Sequence, residues 1–322
     1  MSGDALSDVL RTVRLTGAVF FDVATNAPWV AEQPSREMVL SKILPGAEHL
    51  IAYHVVTEGR CFASLIGGEA IEVEAGEVVV FTHGDAHVMS SSPGMRADPV
   101  TRERLDTMTA SQLPFFASYG SDGPAATLVC GFLACDARPF NPLLGNLPRV
   151  IKAGDRQGAD TGWLGQFIRL ATMESAEKRA GGESVLAKLS ELMFIEVVRR
   201  YLDALPPGQT GWLAGLRDPF VGKALSLLHG GPAQDWTIEE LAKQVGLSRS
   251  VLAERFSCLV GIPPMHYLAN WRMQIASGLL SGGGVNIATI AAEIGYASEA
   301  AFSRAFKKMV GVPPSAWRSR AA

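Results

Sequence analysis

Two sets of side chains in this 322-residue chain have the types and spacing to do chemistry. The first is His54, Cys61, His87 and Cys130. Two imidazoles and two thiolates match the donor types and number of a tetrahedral zinc site. The plainer reading makes Cys61 and Cys130 small core residues and His54 a histidine satisfied inside that core. The second set lies toward the C-terminus: Arg249, Ser250, Ala253, Glu254, Arg255 and Arg272, then Glu299, Ala300, Ser303, Arg304, Lys307 and Lys308. Such residues can meet nucleic acid. Arg304 suits bidentate contact with guanine, Glu254 could accept from cytosine, and Ala253 can touch only a thymine methyl. Lys307, Lys308, Arg255 and Arg272 suit phosphate. For each charge the alternative is a solvated helix face.

The elements that carry the first set read as β. Ile51–Thr57, Cys61–Ile66, Ala70–Val73, Glu77–Phe81 and Thr127–Leu133 are short runs rich in Val, Ile and Phe. Glu58-Gly59, Gly67-Gly68 and Ala75-Gly76 break the first four apart, which suggests a sandwich or barrel. Trp29, Tyr53 and Phe62 are aromatic candidates for lining a small-molecule cavity in such a barrel. Ser90 to Ala126 is rich in Ser, Pro and Gly and reads as a long loop. Beyond Trp163 the period becomes helical. Trp163, Phe167, Leu170 and Met173 share one face, as do Val185, Leu189, Leu192, Met193 and Val197. This pair either closes the barrel or forms a dimer seam. Ala204 to Gly211, with Pro206-Pro207-Gly208, reads as a linker.

The second set sits in an internal repeat. Ile238, Leu241, Ala242, Val245 and Gly246 recur as Ile287, Ile290, Ala291, Ile294 and Gly295. Ser248, Leu252, Phe256, Gly261, Pro263 and Pro264 recur as Ser298, Phe302, Phe306, Gly311, Pro313 and Pro314. Each copy reads as a short amphipathic helix, a glycine stop and a Ser-capped second helix closed by Gly and Pro-Pro. In the first copy the second helix is expected to bury Val251, Leu252, Phe256 and Leu259. That is the helix-turn-helix pattern, whose second helix enters the major groove. Met265 to Leu280 reads as one long helix between the copies, stiff enough to hold two recognition helices about 34 Å apart.

Charge distribution agrees with this division. From Trp212 onward the chain holds 11 Lys and Arg against 7 Asp and Glu, a balance of +4 within a total of −3. The rest carries −7, so an acidic body is joined to a mildly basic third. Asp4 and Asp8 replace the basic start of a signal peptide, and no apolar run reaches a membrane-spanning length of roughly 18 residues. A cytoplasmic chain with reduced cysteines, Cys135 and Cys258 among them as structural thiols, is the expectation. No Ser-His-Asp set, phosphate loop or CxxC is present.

From about Phe220 to Arg320 the chain resembles the DNA-binding domain of the AraC family of transcription regulators. The residues that carry the likeness are Ala291, Gly295, Ser298, Phe302, Phe306, Lys307, Lys308, Gly311, Pro313 and Pro314. Gly76, Thr82, Gly84 and His87 resemble the second motif of a cupin barrel, and His49 and His54 stand roughly where the first belongs. His54–Val56 and Leu128–Gly131 also resemble segments of family members with a cupin sensor. The resemblance implies an α+β protein: a cupin-like sensor and dimerisation domain with a helical pair over 1–203, a linker over 204–219, and an all-α domain of two helix-turn-helix units over 220–322. It implies a non-enzymatic regulator controlled by a ligand, metal or redox signal. Its partners would be promoter DNA, a small effector, a second copy and RNA polymerase. A dioxygenase-like cupin metalloenzyme and a helical protein-interaction scaffold are the alternatives.

Overall fold

The computed structural model describes residues 4–33, 36–42, 47–97, 115–154, 162–177 and 179–321. The chain divides into two compact units. One comprises Leu15–Asp136 and Leu147–Ala204, the other Met1–Arg14, Ala137–Asn146 and Leu205–Ala322. Helix α1 (Ala5–Thr12) therefore groups with the C-terminal helices and not with the β-rich body.

Among the described residues the β-rich unit contains ten strands: β1 (Thr16–Asn26), β2 (Val30–Gln33), β3 (His49–Glu58), β4 (Arg60–Leu65), β5 (Ile71–Glu74), β6 (Glu77–Phe81), β7 (His87–Ser90), β8 (Phe115–Gly120), β9 (Ala125–Cys135) and β10 (Val150–Gly154). Helix α2 (Arg36–Lys42) lies between β2 and β3. Six strands form one sheet in the order β10-β6-β3-β9-β1-β8, and four form a second in the order β2-β7-β4-β5. The inner faces meet in one core: Ala52, Val56, Phe81, Leu128 and Phe132 from the first sheet, Cys61, Ala63, Val73 and Met89 from the second. The long loop expected from Ser90 to Ala126 instead contains β8, which pairs in parallel with β1. The rest of that expectation, residues 98–114, lies outside the described residues. Phe115, Phe116 and Tyr119 favour a strand, but the Ser-, Pro- and Gly-rich stretch around them masks so short a signal; β1 supplies the pairing.

Helices α3 (Trp163–Glu177) and α4 (Gly182–Ala204) follow. The residues α4 buries are Leu186, Ser190, Met193, Phe194, Val197 and Val198. Its expected stripe was partly misplaced, because Val185 and Leu192 are 45% and 53% exposed. On α3, Phe167 is buried while Leu170 and Met173 are exposed. The pair is apolar on more than one side, so periodicity alone merged two faces into one. Two observations fix α4 on the sheet. A Cβ added at Gly17 would stand 2.2 Å from the Ala187 carbonyl oxygen, so only glycine permits this approach. The Tyr53 hydroxyl donates to Ser190 Oγ at 2.7 Å, because the Ser190 hydroxyl already donates to the Leu186 carbonyl.

The helical unit continues with α5 (Trp212–Arg217), α6 (Pro219–Gly230), α7 (Ile238–Val245), α8 (Arg249–Val260), α9 (Pro264–Ser281), α10 (Ile287–Glu293), α11 (Glu299–Val310) and α12 (Pro314–Ala321). The expected linker over 204–219 thus holds a helix, α5, which groups with this unit. Its Trp212 is fully buried and donates from Nε1 to the Tyr267 hydroxyl of α9 at 2.7 Å. His229 of α6 contacts the same hydroxyl at 2.7 Å and stacks on Trp271 at 4.0 Å. Burial depresses its pKa to about 3. Around the second repeat, Met273, Ala276 and Leu280 of α9 pack with Ile290, Ala291, Ile294, Phe302 and Phe306.

The glycine stops of the two repeats share a left-handed backbone and differ in their surroundings. Gly246 has φ +84° and open space around it, whereas at Gly295, φ +82°, a Cβ would lie 2.5 Å from the Ala233 carbonyl oxygen. Gly246→Ala should cost about 1–2 kcal/mol in chemical denaturation, the intrinsic penalty for this conformation. Gly295→Ala should cost clearly more, since backbone must also move. Equal losses would show that the Ala233 contact does not matter.

Candidate nucleic-acid interface and barrel interior

Each recognition helix is built by the same local devices. Ser248 accepts from Val251 N at 3.4 Å and Ser298 from Ala301 N at 3.2 Å, capping α8 and α11. Gly261 and Gly311, at φ +86° and +88°, end them. The helices are anchored by Leu252 and Phe256 and by Phe302 and Phe306, all fully buried. Their polar faces remain in water: Arg249, Ser250, Glu254 and Arg255 on α8, and Glu299, Ala300, Arg304, Lys307 and Lys308 on α11 are exposed. Ala253 and Ser303 are half-buried. Val251, expected inside, is 47% exposed in the first turn of α8, and Leu259 is half-buried. Cys258 is exposed rather than structural.

The cations of the two units are used differently. Arg255 holds Asp218 through Nε and Nη2 at 2.9 and 2.5 Å and lies over the Phe220 ring at 5.2 Å. Arg272 donates to the carbonyls of Pro232 and Gln234 at 2.7 and 2.9 Å and lies 5.8 Å over Tyr296. Both are phosphate candidates from sequence; in this structure these donors brace α8 and α9 against neighbouring elements. No sequence pattern signals this, since Asp218 and Pro232 stand 37 and 40 residues away. Arg249 pairs with Glu239 at 2.9 Å, but the two side chains are 70% and 58% exposed. Such a pair is weak and exchangeable. Arg304, Lys307 and Lys308 make no ion pair among the described residues. Free positive charge therefore concentrates on α11.

Register explains the barrel interior. Directly paired residues share a sheet face. His54 pairs with Cys130 across β3 and β9, and His87 pairs with Leu65 across β7 and β4. The imidazoles meet, with Nε2 atoms 2.7 Å apart. Burial holds both neutral, His54 well below its ordinary value and His87 at about 4. Burial likewise lifts the Cys61 thiol to about 12 and the Cys130 thiol well upward. The four proposed zinc ligands do not converge. Cys61 lies four residues before Leu65 on β4, and at 3.3 Å per residue that places it about 13 Å along the strand from the level of His87. Among the described residues no three His, Cys, Asp or Glu side chains form a ready metal group. A cupin centre of three His and one carboxylate does not fit either, because His49 Nε2 is bonded to the Thr82 carbonyl at 2.7 Å. The aromatic candidates also part: Trp29 is in the core, Tyr53 bonds to α4, and Phe62 is only half-buried.

Comparison with known proteins adds the following. The cupin family profile matches residues 4–203, and a helix-turn-helix domain profile matches residues 241–320. A putative AraC-like transcription regulator of Streptomyces lividans is 31% identical over 98% of both chains. The HTH-type transcriptional regulator AlkR of Acinetobacter baylyi is 26% identical over 98% of this chain and 99% of its own. Among solved structures, the C-terminal domain of AraT, a response regulator from Geobacillus stearothermophilus, is 33% identical over 32% of this chain and 86% of its own, with a TM-score of 0.31.

Asp218 caps α6 through the N–H groups of Phe220 and Val221 as well as binding Arg255. Burial disfavours its charge, but Arg255 and these N–H groups outweigh that and hold its pKa below the ordinary value. A depressed carboxylate stabilises the fold above its unfolded pKa, and that share is lost as pH falls through the folded value. Asp218→Ala should cost about 1 kcal/mol at neutral pH, a typical N-cap loss. The gap in Tm from the wild type should narrow once pH drops below the ordinary carboxylate value of about 4. A gap unchanged in acid would remove the charge from the account.

Proposed function

Because this chain belongs to the AraC-like family of transcription regulators, with a cupin domain followed by a helix-turn-helix domain, we propose that it reads duplex promoter DNA mainly through α11. The observation that carries this is the cluster of three exposed cations on that one helix, Arg304, Lys307 and Lys308, which make no ion pair among the described residues. Arg304 takes a base edge and the two lysines take phosphate. The first unit contributes less charge. Val251, in the first turn of α8 where recognition helices meet base edges, offers a methyl surface suited to thymine. The cupin unit is the regulatory half, answering to a small effector or to a metal or redox signal. The enzymatic alternative has less behind it, since His49 is engaged by backbone.

This reading is tested by selecting binding sequences from random duplexes with the full chain and measuring affinity across a salt series. Affinity should fall steeply with salt, and Lys307→Ala and Lys308→Ala should each lower the salt slope by about 1. Arg304→Ala should lose about 1–3 kcal/mol of discrimination at one base position, and Val251→Ala should relax a thymine preference at another. Failure to enrich any sequence, or an Arg304→Ala variant with unchanged preferences, would sink it.

We also infer a homodimer through α3 and α4. Of the six exposed large apolar side chains among the described residues, four, Leu170, Met173, Val185 and Leu192, lie on this pair. Concentrated apolar surface on one element pair marks an interaction site. Two consecutive helices offer a face that a second copy matches by two-fold rotation. In sedimentation, the wild type should run as a dimer, and Leu170→Glu with Leu192→Glu should run as a folded monomer. A monomeric wild type ends the idea.

A further inference from the structure

The connection between β9 and β10 carries a built element. Residues Ala137–Asn146 group with the helical unit, while the strands on either side belong to the β-rich unit. The segment is organised by its own side chains. Asn141 Oδ1 accepts from the N–H groups of Leu143 and Leu144 and opens the 3-10 turn Leu144–Asn146, and Asn146 Nδ2 donates to the Pro142 carbonyl at 2.7 Å. Leu143 and Leu144 are buried. Two residues of the segment then reach the supports of α8. Phe140 N donates to Gln274 Oε1 at 2.9 Å, and its ring stands edge-on to Tyr267 at 5.4 Å. Tyr267 and Gln274 lie two turns apart on α9 and share one face. Tyr267 in turn stands edge-on to Phe256 of α8. A glutamine is costly at a fully buried position, and here its oxygen is given to this segment. Asn146 Oδ1 accepts from Trp212 N at 2.7 Å. The preceding Gly211 N donates to the Leu259 carbonyl, in the last turn of α8, at 2.6 Å. Gly211 has φ +112°, and a Cβ there would lie 2.5 Å from Asn146 Oδ1, so glycine lets this bridge close.

We propose that Phe140 and Asn146 are positioning residues for the first recognition helix, a step that rests on the reading of DNA by both units given above. Phe140 fixes the direction of α8 through Tyr267 and Phe256. Asn146 fixes its C-terminal end through Trp212, Gly211 and Leu259. The second unit is supported differently: the core cluster that holds Phe302 and Phe306 of α11 is drawn from residues 273–317. The two recognition helices therefore depend on different parts of the chain. Contacts to base edges are short and directional, so a small roll of α8 degrades its preference before the unit unfolds. Neither Phe140 nor Asn146 needs to touch DNA for this. Each acts by holding still a residue that holds α8.

Sequence selection from random duplexes with the full chain separates the two helices. Positions read by α8 are those that relax in Val251→Ala, and positions read by α11 are those that relax in Arg304→Ala. Phe140→Ala and Asn146→Ala should each lose most of the preference at α8 positions and keep that at α11 positions. A merely structural loss would lower both together. Equal loss at both, or full preference at α8 positions, overturns the assignment. Amide exchange on the DNA-free chain gives a second measurement. In both variants the amides of α8 should exchange about 5–10-fold faster, the effect of losing one hydrogen bond or one aromatic contact on local stability, while those of α11 keep their rates. Unchanged exchange in α8 overturns the assignment even where the wild type enriches no sequence, an outcome that would itself count only against the reading of promoter DNA.

Discussion

Each recognition helix must keep one face in water for DNA and yet stay fixed in direction, and a twelve-residue helix has little surface left to do so. Leu252 with Phe256, and Phe302 with Phe306, supply the whole fully buried anchorage of α8 and α11. Two side chains one turn apart fix a helix against rolling, and the Ser caps and Gly stops define its ends. Everything else in the helical unit serves those anchors. Helix α9 presents Met273, Ala276 and Leu280 to the second pair. Tyr267 lies edge-on to Phe256 at 5.7 Å and is itself held by Trp212 and His229.

The same economy explains why the two units diverge. A helix with few buried contacts can be braced from its polar side, and α8 uses Arg255 on Asp218 for this. That brace ties the Arg255 guanidinium to its own domain. Helix α11 closes instead onto Trp317, which meets Phe306 edge-on at 6.0 Å, so its cations stay free. The repeat thus preserves a scaffold while its cations differ: Arg255 of the first copy is bonded to its own domain, and Arg304, Lys307 and Lys308 of the second make no ion pair among the described residues.

What the sequence disclosed follows this logic. The caps, glycine stops and apolar positions of the repeat recur at fixed spacing, and they decide local structure, so both units were legible. The strands bearing His54, Cys61 and Cys130 were legible for the same reason. Long-range partners were not. Nothing in the sequence places Asp218 beside Arg255, or sets His87 of β7 opposite Leu65 of β4. Strand β8 depended on pairing with β1, and the burial of α4 depended on which of its apolar sides meets the sheet. The hydrogen bonds that tie Phe140 to Gln274 and Asn146 to Trp212 could be found only by following actual contacts.

Strand β3 carries adjacent residues with opposite duties. His54 faces the interior and Tyr53 the outside, where it holds Ser190 of α4. Successive side chains on a strand project from one stiff ribbon in opposite directions. The ribbon therefore gives the interior imidazole and the helix bonded to the phenol one common support, so a substitution that displaces β3 displaces both.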